Sequence, residues 1–249
     1  MKSTIFAAML GLTLKDKITL FYSLIFPLAL LIGLGMYFDT PEYQEKLIAG
    51  VTALGALFWG VQGIAFQVYQ QRSRGVYKLL MMTPFSILSF ILTVTLARTV
   101  VGLAINGIIL ATGLLLFGLT YSIVNLLLFT GLLLLGTLCF TALGFVIANL
   151  ASNEGQINSL SNLLQIPMIF GSSAFYSLEQ APAWIKLTGE FFPFAHMING
   201  QTAALTGQLT EVLVPMSLLF LFTVLFVVLA AVTFRWDSRT SFLAIRRQY

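Results

Sequence analysis

The chain has 249 residues, of which 58% are hydrophobic and only 9% are charged, and its formal net charge is +4. Soluble domains carry about 25% charged residues, because charged side chains keep a protein surface hydrated. With so few charges, most of this chain's surface must face lipid, which excludes an ordinary soluble enzyme. The length is that of a single membrane domain, residues 1–249, and leaves no room for a separate catalytic domain.

The first segment in chain order, residues 1–17, holds apolar side chains among small ones, with lysines near both ends. This pattern predicts a short interfacial helix that lies on the inner leaflet before the first membrane span. An ordinary flanking segment is the alternative.

Six continuous apolar segments come next, and each is long enough to cross a membrane, because a helix needs about 20 apolar residues to span the hydrocarbon core. Strands of a closed barrel would alternate apolar and polar residues. The runs here do not alternate, so the chain is predicted to be an all-α integral membrane protein with six transmembrane helices. The predicted spans are residues 18–38, 47–68, 87–119, 123–150, 157–176 and 212–234.

The third predicted span contains Arg98 and is longer than a membrane requires. We expect residues 99–119 to be the crossing part, with residues 87–97 as an interfacial or kinked extension. Arg98 would then lie at the inner boundary and extend its side chain to the headgroups. A buried Arg98 that meets substrate or a partner helix is the alternative.

Two segments between the spans carry further signals. Residues 67–84 combine basic side chains with an apolar cluster, and Pro84 ends any helix there. This segment is either a simple loop on the inner face or a docking surface for a partner protein.

Residues 177–211 are external but rich in apolar and aromatic side chains, so they should re-enter the outer leaflet as short helices. Pro182 should begin one short helix and Pro193 should stop it.

The basic residues are distributed asymmetrically across these segments. Since lysine and arginine concentrate in cytoplasmic loops, the asymmetry predicts that both termini lie in the cytoplasm of a multi-pass plasma-membrane protein, which we expect to be bacterial. The positive charge is therefore a topology signal and not a nucleic-acid-binding patch. The inner segments hold Lys2, Lys15, Lys17, Arg72, Arg74, Lys78, Arg235, Arg239, Arg246 and Arg247, and the outer segments hold Lys46 and Lys186.

The sequence offers little reactive chemistry. It has no glycine-rich phosphate loop ending in Gly-Lys-Ser/Thr, so it should not bind ATP in that way. One histidine, His196, and one cysteine, Cys139, cannot form a metal cluster, and His196 is expected to be an interface residue. The predicted spans contain no acidic residue that could relay protons. We therefore expect a protein that is not an enzyme and binds no cofactor of its own.

Two stripes of polar and aromatic residues recur at helical spacing within the spans. Polar side chains in hydrocarbon need partners, so each stripe should face either neighbouring helices or a substrate path. The stripe of the fifth span and its approach consists of Glu154, Asn158, Ser161, Asn162, Gln165 and Ser172, and that of the second span consists of Thr52, Gly55, Trp59, Gln62, Phe66 and Tyr69.

Two stretches of the chain resemble sequence motifs of the membrane (permease) subunit of type-2 ABC exporters. The first is Arg74-Gly75 followed by Leu79, Leu80, Thr83 and Pro84 on the inner side. The second covers residues 165–205, where a proline-bearing helix reaches a turn of small residues and phenylalanine, and then Glu179, Pro182, Trp184 and Pro193 follow. Ser177 departs from the proline that this family often has before its Leu-Glu pair.

This resemblance implies a separate ATP-binding cassette ATPase subunit that binds ATP and Mg²⁺, and a second permease copy or a homologue. The substrate would be an amphipathic or apolar molecule that leaves the cytoplasm or inner leaflet. A stand-alone secondary transporter or channel, or a membrane scaffold without flux, is the alternative.

The resemblance also assigns roles to individual residues. Coupling to the ATPase would use Arg72, Arg74, Gly75, Tyr77, Lys78, Leu79, Leu80, Thr83 and Pro84, with help from residues 1–17. The substrate path or dimer interface would use Trp59, Gln62, Phe66, Asn158, Ser161, Asn162, Gln165 and Ser172. The external re-entrant segment would use Glu179, Pro182, Trp184 and Pro193.

Overall fold

The computed structural model describes residues 10–11, 17–38, 40–77, 86–174, 176 and 181–234. These residues form helices and no strands, which confirms the predicted all-α class. The helices are α1 (Lys17–Tyr37), α2 (Pro41–Ser73), α3 (Ile87–Phe117), α4 (Ile123–Leu150), α5 (Glu154–Phe170), α6 (Ala183–Glu190), α7 (Pro193–Leu205) and α8 (Leu209–Thr233). A π-helical turn, Trp59–Gly63, interrupts α2.

Four of the described helices, α2, α3, α4 and α8, are long and apolar enough to cross a membrane. Helix α1 has 21 residues and is apolar over Ser23–Tyr37. Helix α5 has 17 residues, which gives it a length of about 25 Å at the α-helical rise. The predicted fourth span coincides with α4, and the other boundaries differ from the predicted ones by a few residues.

The helix ends follow local signals in the sequence. Ser122 begins α4 by accepting a hydrogen bond from the Asn125 backbone N–H at 3.2 Å, and Asn153 does the same for Gln156 at 2.8 Å before α5. Gly118 ends α3 with φ of 65°, a left-handed conformation that glycine adopts without strain. These caps satisfy backbone groups that would otherwise be unpaired at the helix ends.

Helix α3 contains most of the predicted third span. Its 31 residues form one helix from Ile87, so residues 87–97 continue the helix that contains residues 99–117. Ser86 caps its start by accepting from the Ser89 N–H at 3.2 Å. Arg98 lies about 17 Å along this helix from Ile87.

Helix α2 lies at the centre of the bundle, and 89% of its most apolar window is buried. Helix α4 packs against α2, α3, α7 and α8, while α1 packs on α2 and α3. Helix α8 is peripheral, with only 11% of its window buried. Its exposed leucines, valines and phenylalanines form an apolar outer face of the kind that contacts lipid.

Helices α2, α4 and α8 run in one direction and α3 runs in the other, and the bundle has two distinct ends. At the Arg72 end, the C-termini of α2 and α4 meet, since Arg72 contacts Ala148, and Asn149 donates to Ala230 O of α8 at 3.0 Å. At the Glu45 end, Tyr121 before α4 donates to Glu45 Oε1 of α2 at 2.9 Å.

Helices α6 and α7 confirm the prediction of two short helices in residues 177–211. Pro182 is the N-cap of α6, as expected, whereas Pro193 is the first residue of α7 and does not itself stop α6, which ends at Glu190. Helix α7 runs alongside α4. Its Phe194 ring lies 6.2 Å from that of Phe140, and its Leu205 O accepts from Asn125 at 3.4 Å.

Candidate functional site

Arg72 is the central side chain of the Arg72 end, although it is only 2% exposed. Its guanidinium donates to the Ala148 carbonyl and, at 3.3 Å, to the Ala151 carbonyl. These carbonyls belong to the last turn of α4, where the helix dipole is negative and backbone acceptors lack helical partners. Arg72 therefore fastens the end of α2 to the end of α4.

Tyr77 provides a second attachment at the same end, and it is completely buried. Its hydroxyl donates to Gln71 Oε1 at 3.0 Å. Burial raises the pKa of Tyr77, and the nearby Arg72 charge opposes that rise only in part, so the hydroxyl stays protonated as a donor. Its ring lies 5.0 Å from Phe90 of α3 and 5.9 Å from Phe234 after α8. Through Arg72 and Tyr77, the end of α2 and the turn after it thus contact α4, α3 and Phe234 after α8.

The predicted coupling residues therefore separate into two groups. Arg72 and Tyr77 point inward and hold the turn, so their side chains are not available to a partner in this structure. Arg74 is exposed, and Gly75 has a φ of 75°, which turns the chain after α2. The remaining predicted coupling residues, Lys78, Leu79, Leu80, Thr83 and Pro84, and most of residues 1–17 lie outside the described part of the chain.

Arg98 forms the most polar cluster inside the bundle, and the expectation that it extends to the headgroups is wrong. It is 1% exposed, and its guanidinium lies 4.3 Å from the centre of the Trp59 ring of α2. Arg98 Nε donates to Trp59 O at 3.3 Å, and Nη1 donates to Gln67 Oε1 at 2.6 Å. Of the alternative, a buried Arg98 that meets substrate or a partner helix, the structure shows the burial, with contacts to Trp59 and Gln67 of α2.

The polar stripe of α2 does not form one continuous face, because the π-helical turn changes the helical period in its middle. Trp59 is fully buried, and its Nε1 donates to Arg98 O at 3.0 Å. Gln62 and Phe66, further along α2, are only partly buried. Trp59 thus packs between α2 and α3 and contributes nothing to the surface of this structure.

The polar stripe of α5 likewise divides into an inner and an outer face. Ser161 and Gln165 are buried, and Gln165 Nε2 lies 3.5 Å from Leu57 O of α2. Asn158 and Asn162 are exposed on the outer face. Ser172, beyond the end of α5, is buried and donates to Ile169 O at 2.8 Å. The outer face combines amides with exposed apolar side chains, whereas the inner face contacts α2.

Sequence reasoning missed Gln67 as the partner of Arg98, and it missed the π-helical turn. Two glycines next to this cluster could have indicated from the sequence that large side chains pack against them. A side chain at Gly63 would collide with the Arg98 guanidinium, and one at Gly102 would lie 2.6 Å from the Trp59 ring. Small residues at these positions create the space for a large cation and an indole ring.

The described residues of α6 and α7 show no reactive arrangement. Trp184 is 69% exposed on α6, and Glu179 lies outside the described residues. His196 Nε2 is 3.0 Å from Glu190 O, and its ring stacks on Phe222 at 6.2 Å, which fits the expected interface residue. The described part of the chain contains no group of His, Cys, Asp and Glu that could hold a metal ion. The contacts described here hold helices together.

Comparison with known proteins identifies the family. A family model described as "ABC-2 family transporter protein" matches residues 37–232, which cover α2 to α7 and nearly all of α8. No curated protein matches the chain significantly. The matched residues include Arg72, Arg98 and the α5 stripe, so the features described above lie within the family region. The chain belongs to the ABC-2 family of transporters and is a membrane-embedded transport permease.

Proposed function

We propose that this permease is the transmembrane subunit of an ATP-driven exporter that moves an amphipathic or apolar substrate out of the cytoplasm or inner leaflet. A separate ATP-binding cassette subunit would supply the energy and bind ATP and Mg²⁺. Membership of the ABC-2 family carries this proposal, because such permeases work with an ATPase subunit. The firmly anchored turn at the Arg72 end supports it.

The docking surface for the ATPase would be the Arg72 end, with Arg74 as an exposed contact. Arg72 and Tyr77 tie the turn after α2 to α4, α3 and the end of α8. Packed interiors move as units rather than deforming continuously. A push on the turn would therefore displace these helices together, which is what coupling to a remote ATPase requires.

We further propose six crossings, with both termini in the cytoplasm. Helices α1 and α5 would add to the four long spans, with α5 lengthened by the residues that follow it. Among the described side chains, Arg72 and Arg74 lie at the Arg72 end, while Glu45, Glu42 and Lys46 lie at the opposite end. This distribution favours a cytoplasmic Arg72 end under the positive-inside rule.

Helices α6 and α7 would form the external re-entrant segment. Phe194, near the start of α7, lies next to Phe140, which is about 25 Å along α4 from Ile123. Leu205, at the other end of α7, lies near the start of α4. Helix α7 therefore extends from the middle of the bundle towards the Glu45 end, as a re-entrant helix would.

The outer face of α5 would line the substrate path or contact a second permease copy. Asn158 and Asn162 lie there with Leu163, Ile166 and Phe170, which are 67%, 52% and 63% exposed. Amides exposed to hydrocarbon are costly, so this face needs a polar partner. An amphipathic molecule or another protein helix would provide polar groups for the two amides and apolar surface for Leu163, Ile166 and Phe170.

The coupling proposal is tested by charge reversal at Arg74. We expect Arg74→Glu to weaken copurification with the ATPase subunit, and to reduce ATP hydrolysis by the complex about tenfold, because a repulsive charge replaces an attractive one. Lys46→Glu is the matched control, since it reverses an exposed charge at the other end of the same helix. Equal effects of the two variants would contradict docking at the Arg72 end.

The path proposal is tested by Asn158→Leu combined with Asn162→Leu. This pair removes the exposed amides and leaves the buried Gln165 intact. We expect an altered profile of exported compounds, measured by untargeted comparison of culture media, because the amides would no longer meet substrate or the second copy. An unchanged profile with unchanged oligomeric state would assign both residues to packing alone. Ion-coupled flux by the chain alone in liposomes would favour a secondary transporter instead.

A further inference from the structure

The π-helical turn of α2, Trp59–Gly63, lies where α2 is surrounded by other helices. Helices α3, α4 and α5 all contact α2 in this region. On the α4 side, a methyl group at Gly144 would lie 2.6 Å from Val61 O and 2.7 Å from Gly60 O. The same methyl group would collide with Ile64 Cγ2, so the Ile64 side chain and the carbonyl oxygens of the turn both lie close to the α4 backbone at Gly144.

Side chains from two other helices reach backbone carbonyls at this turn. Arg98 of α3 donates to Trp59 O at 3.3 Å, and Gln165 of α5 approaches Leu57 O at 3.5 Å. Trp59 is the first residue of the π-helical turn and Leu57 lies two residues before it, so the contacts from α3 and α5 both fall at the start of the turn. A π-helical turn is rare, and it persists where its surroundings specify it.

Arg98 also connects the two sides of the turn. Its Nε bonds to Trp59, the first residue of the turn, and its Nη1 bonds to Gln67, which lies beyond the turn, at 2.6 Å. The rigid fork of a guanidinium can hold two such acceptors in a fixed relation, which a lysine ammonium cannot do. Arg98 thus fixes the position of the part of α2 on the Glu45 side of the turn relative to the part on the Arg72 side.

We infer that the π-helical turn is a joint through which α2 transmits movement from the Arg72 end to the Glu45 end, and that Arg98 is the positioning residue of this joint. This inference rests on the proposed function, because the movement originates at the ATPase docking surface. Gln165 links the same joint to α5, whose outer face is the proposed substrate path. Arg98 acts through the geometry of α2 and does not contact substrate.

The test uses the full permease reconstituted with its ATPase, in a Cys139→Ala background, with pairs of spin labels. One pair, at Ser73→Cys and Val232→Cys, reports the distance from α2 to α8 at the Arg72 end. The other pair, at Lys46→Cys and Val214→Cys, reports it at the Glu45 end. All four positions are exposed. Distances are compared without nucleotide and after trapping with ATP and vanadate.

We expect both distances to change on nucleotide trapping in the otherwise unmodified permease. In Arg98→Met, the change should persist at the Arg72 end and be lost at the Glu45 end. Gln67→Met, which removes the 2.6 Å bond while the Arg98 charge remains, should give a partial loss. It also keeps the test decisive if Arg98→Met does not fold. Thr99→Val is the matched control, because the buried Thr99 hydroxyl donates to Thr95 O in its own helix.

The outcomes separate the two proposals. Nucleotide-dependent changes at both ends in Arg98→Met and Gln67→Met, as in the unmodified permease, would overturn the joint and leave the proposed function standing. A loss in Thr99→Val equal to that in Arg98→Met would overturn the positioning role. An absence of any nucleotide-dependent change in the unmodified complex would refute ATP coupling, and the joint with it.

Discussion

At the scale of single residues, three arginines have different environments. Arg72 caps the last turn of α4, Arg98 lies against Trp59 inside the bundle, and Arg74 is exposed. A guanidinium is stabilised by carbonyl acceptors and by the face of an indole ring, so the first two can be buried. Removing each should therefore have a different effect.

We expect Arg72→Met to destabilise the permease by about 2 kcal/mol, because the carbonyls of Ala148 and Ala151 lose a charge-assisted donor near a helix C-terminus. Thermal unfolding in detergent, followed by tryptophan fluorescence, measures this change. Arg74→Met is the control and should leave the midpoint almost unchanged, since Arg74 is exposed. Equal midpoints for both variants would show that the Arg72 contact contributes little.

A substitution at Gln201 of α7 should raise the stability of the permease, in contrast to the loss expected for Arg72→Met. Its side chain is fully buried, and both amide atoms lack a hydrogen-bond partner among the described residues. An unpaired buried amide is costly, and methionine has a similar shape without the polar atoms. Gln201→Met should therefore stabilise the folded chain by about 1 kcal/mol in the same unfolding measurement. A destabilised variant would reveal a polar partner, such as a buried water.

At the scale of elements, the contact between α2 and α4 depends on glycine. Gly60 and Gly144 let the two backbones approach, and a methyl group at Gly60 would lie 2.7 Å from Phe140 Cβ. Close backbone approach through small residues is a common way for membrane helices to associate, because lipid provides no hydrophobic force between them. The π-helical turn is thus held by packing as well as by Arg98.

Gly144→Ala should destabilise the permease by about 1–3 kcal/mol, since the added methyl group overlaps the carbonyls of Gly60 and Val61. Gly107→Ala is the matched control in α3, because a methyl group there meets no atom within 4 Å. Alanine is favoured over glycine in a helix, so this control should be neutral or slightly stabilising. Similar losses in both variants would argue against a tight crossing.

At the scale of the whole molecule, the two ends of the bundle differ in charge and in how they are connected. The Arg72 end joins α2, α3, α4 and α8 through one buried arginine and an aromatic cluster. The Glu45 end holds the acidic start of α2 and the end of α7. This asymmetry is expected of a permease that receives energy on one side and releases substrate on the other.

Labelling of single cysteines tests this orientation. We expect Lys46→Cys to react with a membrane-impermeant maleimide in intact cells, and Ser73→Cys to react only after permeabilisation, because positive charge favours a cytoplasmic Arg72 end. The native Cys139 is buried and serves as the internal control, since it should not react in either case. Labelling of Ser73→Cys in intact cells would reverse the proposed orientation.

The amino-acid sequence by itself determined the helical class, the membrane location, the approximate positions of the long helices and the two short helices before α8. These features depend on local properties: long apolar runs, capping residues such as Ser122, and prolines at helix starts. The sequence also carried the family motifs that agree with the family match.

Only the tertiary structure decided which side chains meet. Arg98 pairs with Trp59, 39 positions away, and Arg72 with Ala148, 76 positions away. The π-helical turn and the division of the α5 stripe into two faces likewise arise from neighbouring helices. Hydrophobicity places a helix in the membrane, but burial of a polar group requires a specific partner, and that partner is selected by packing between segments distant in the chain.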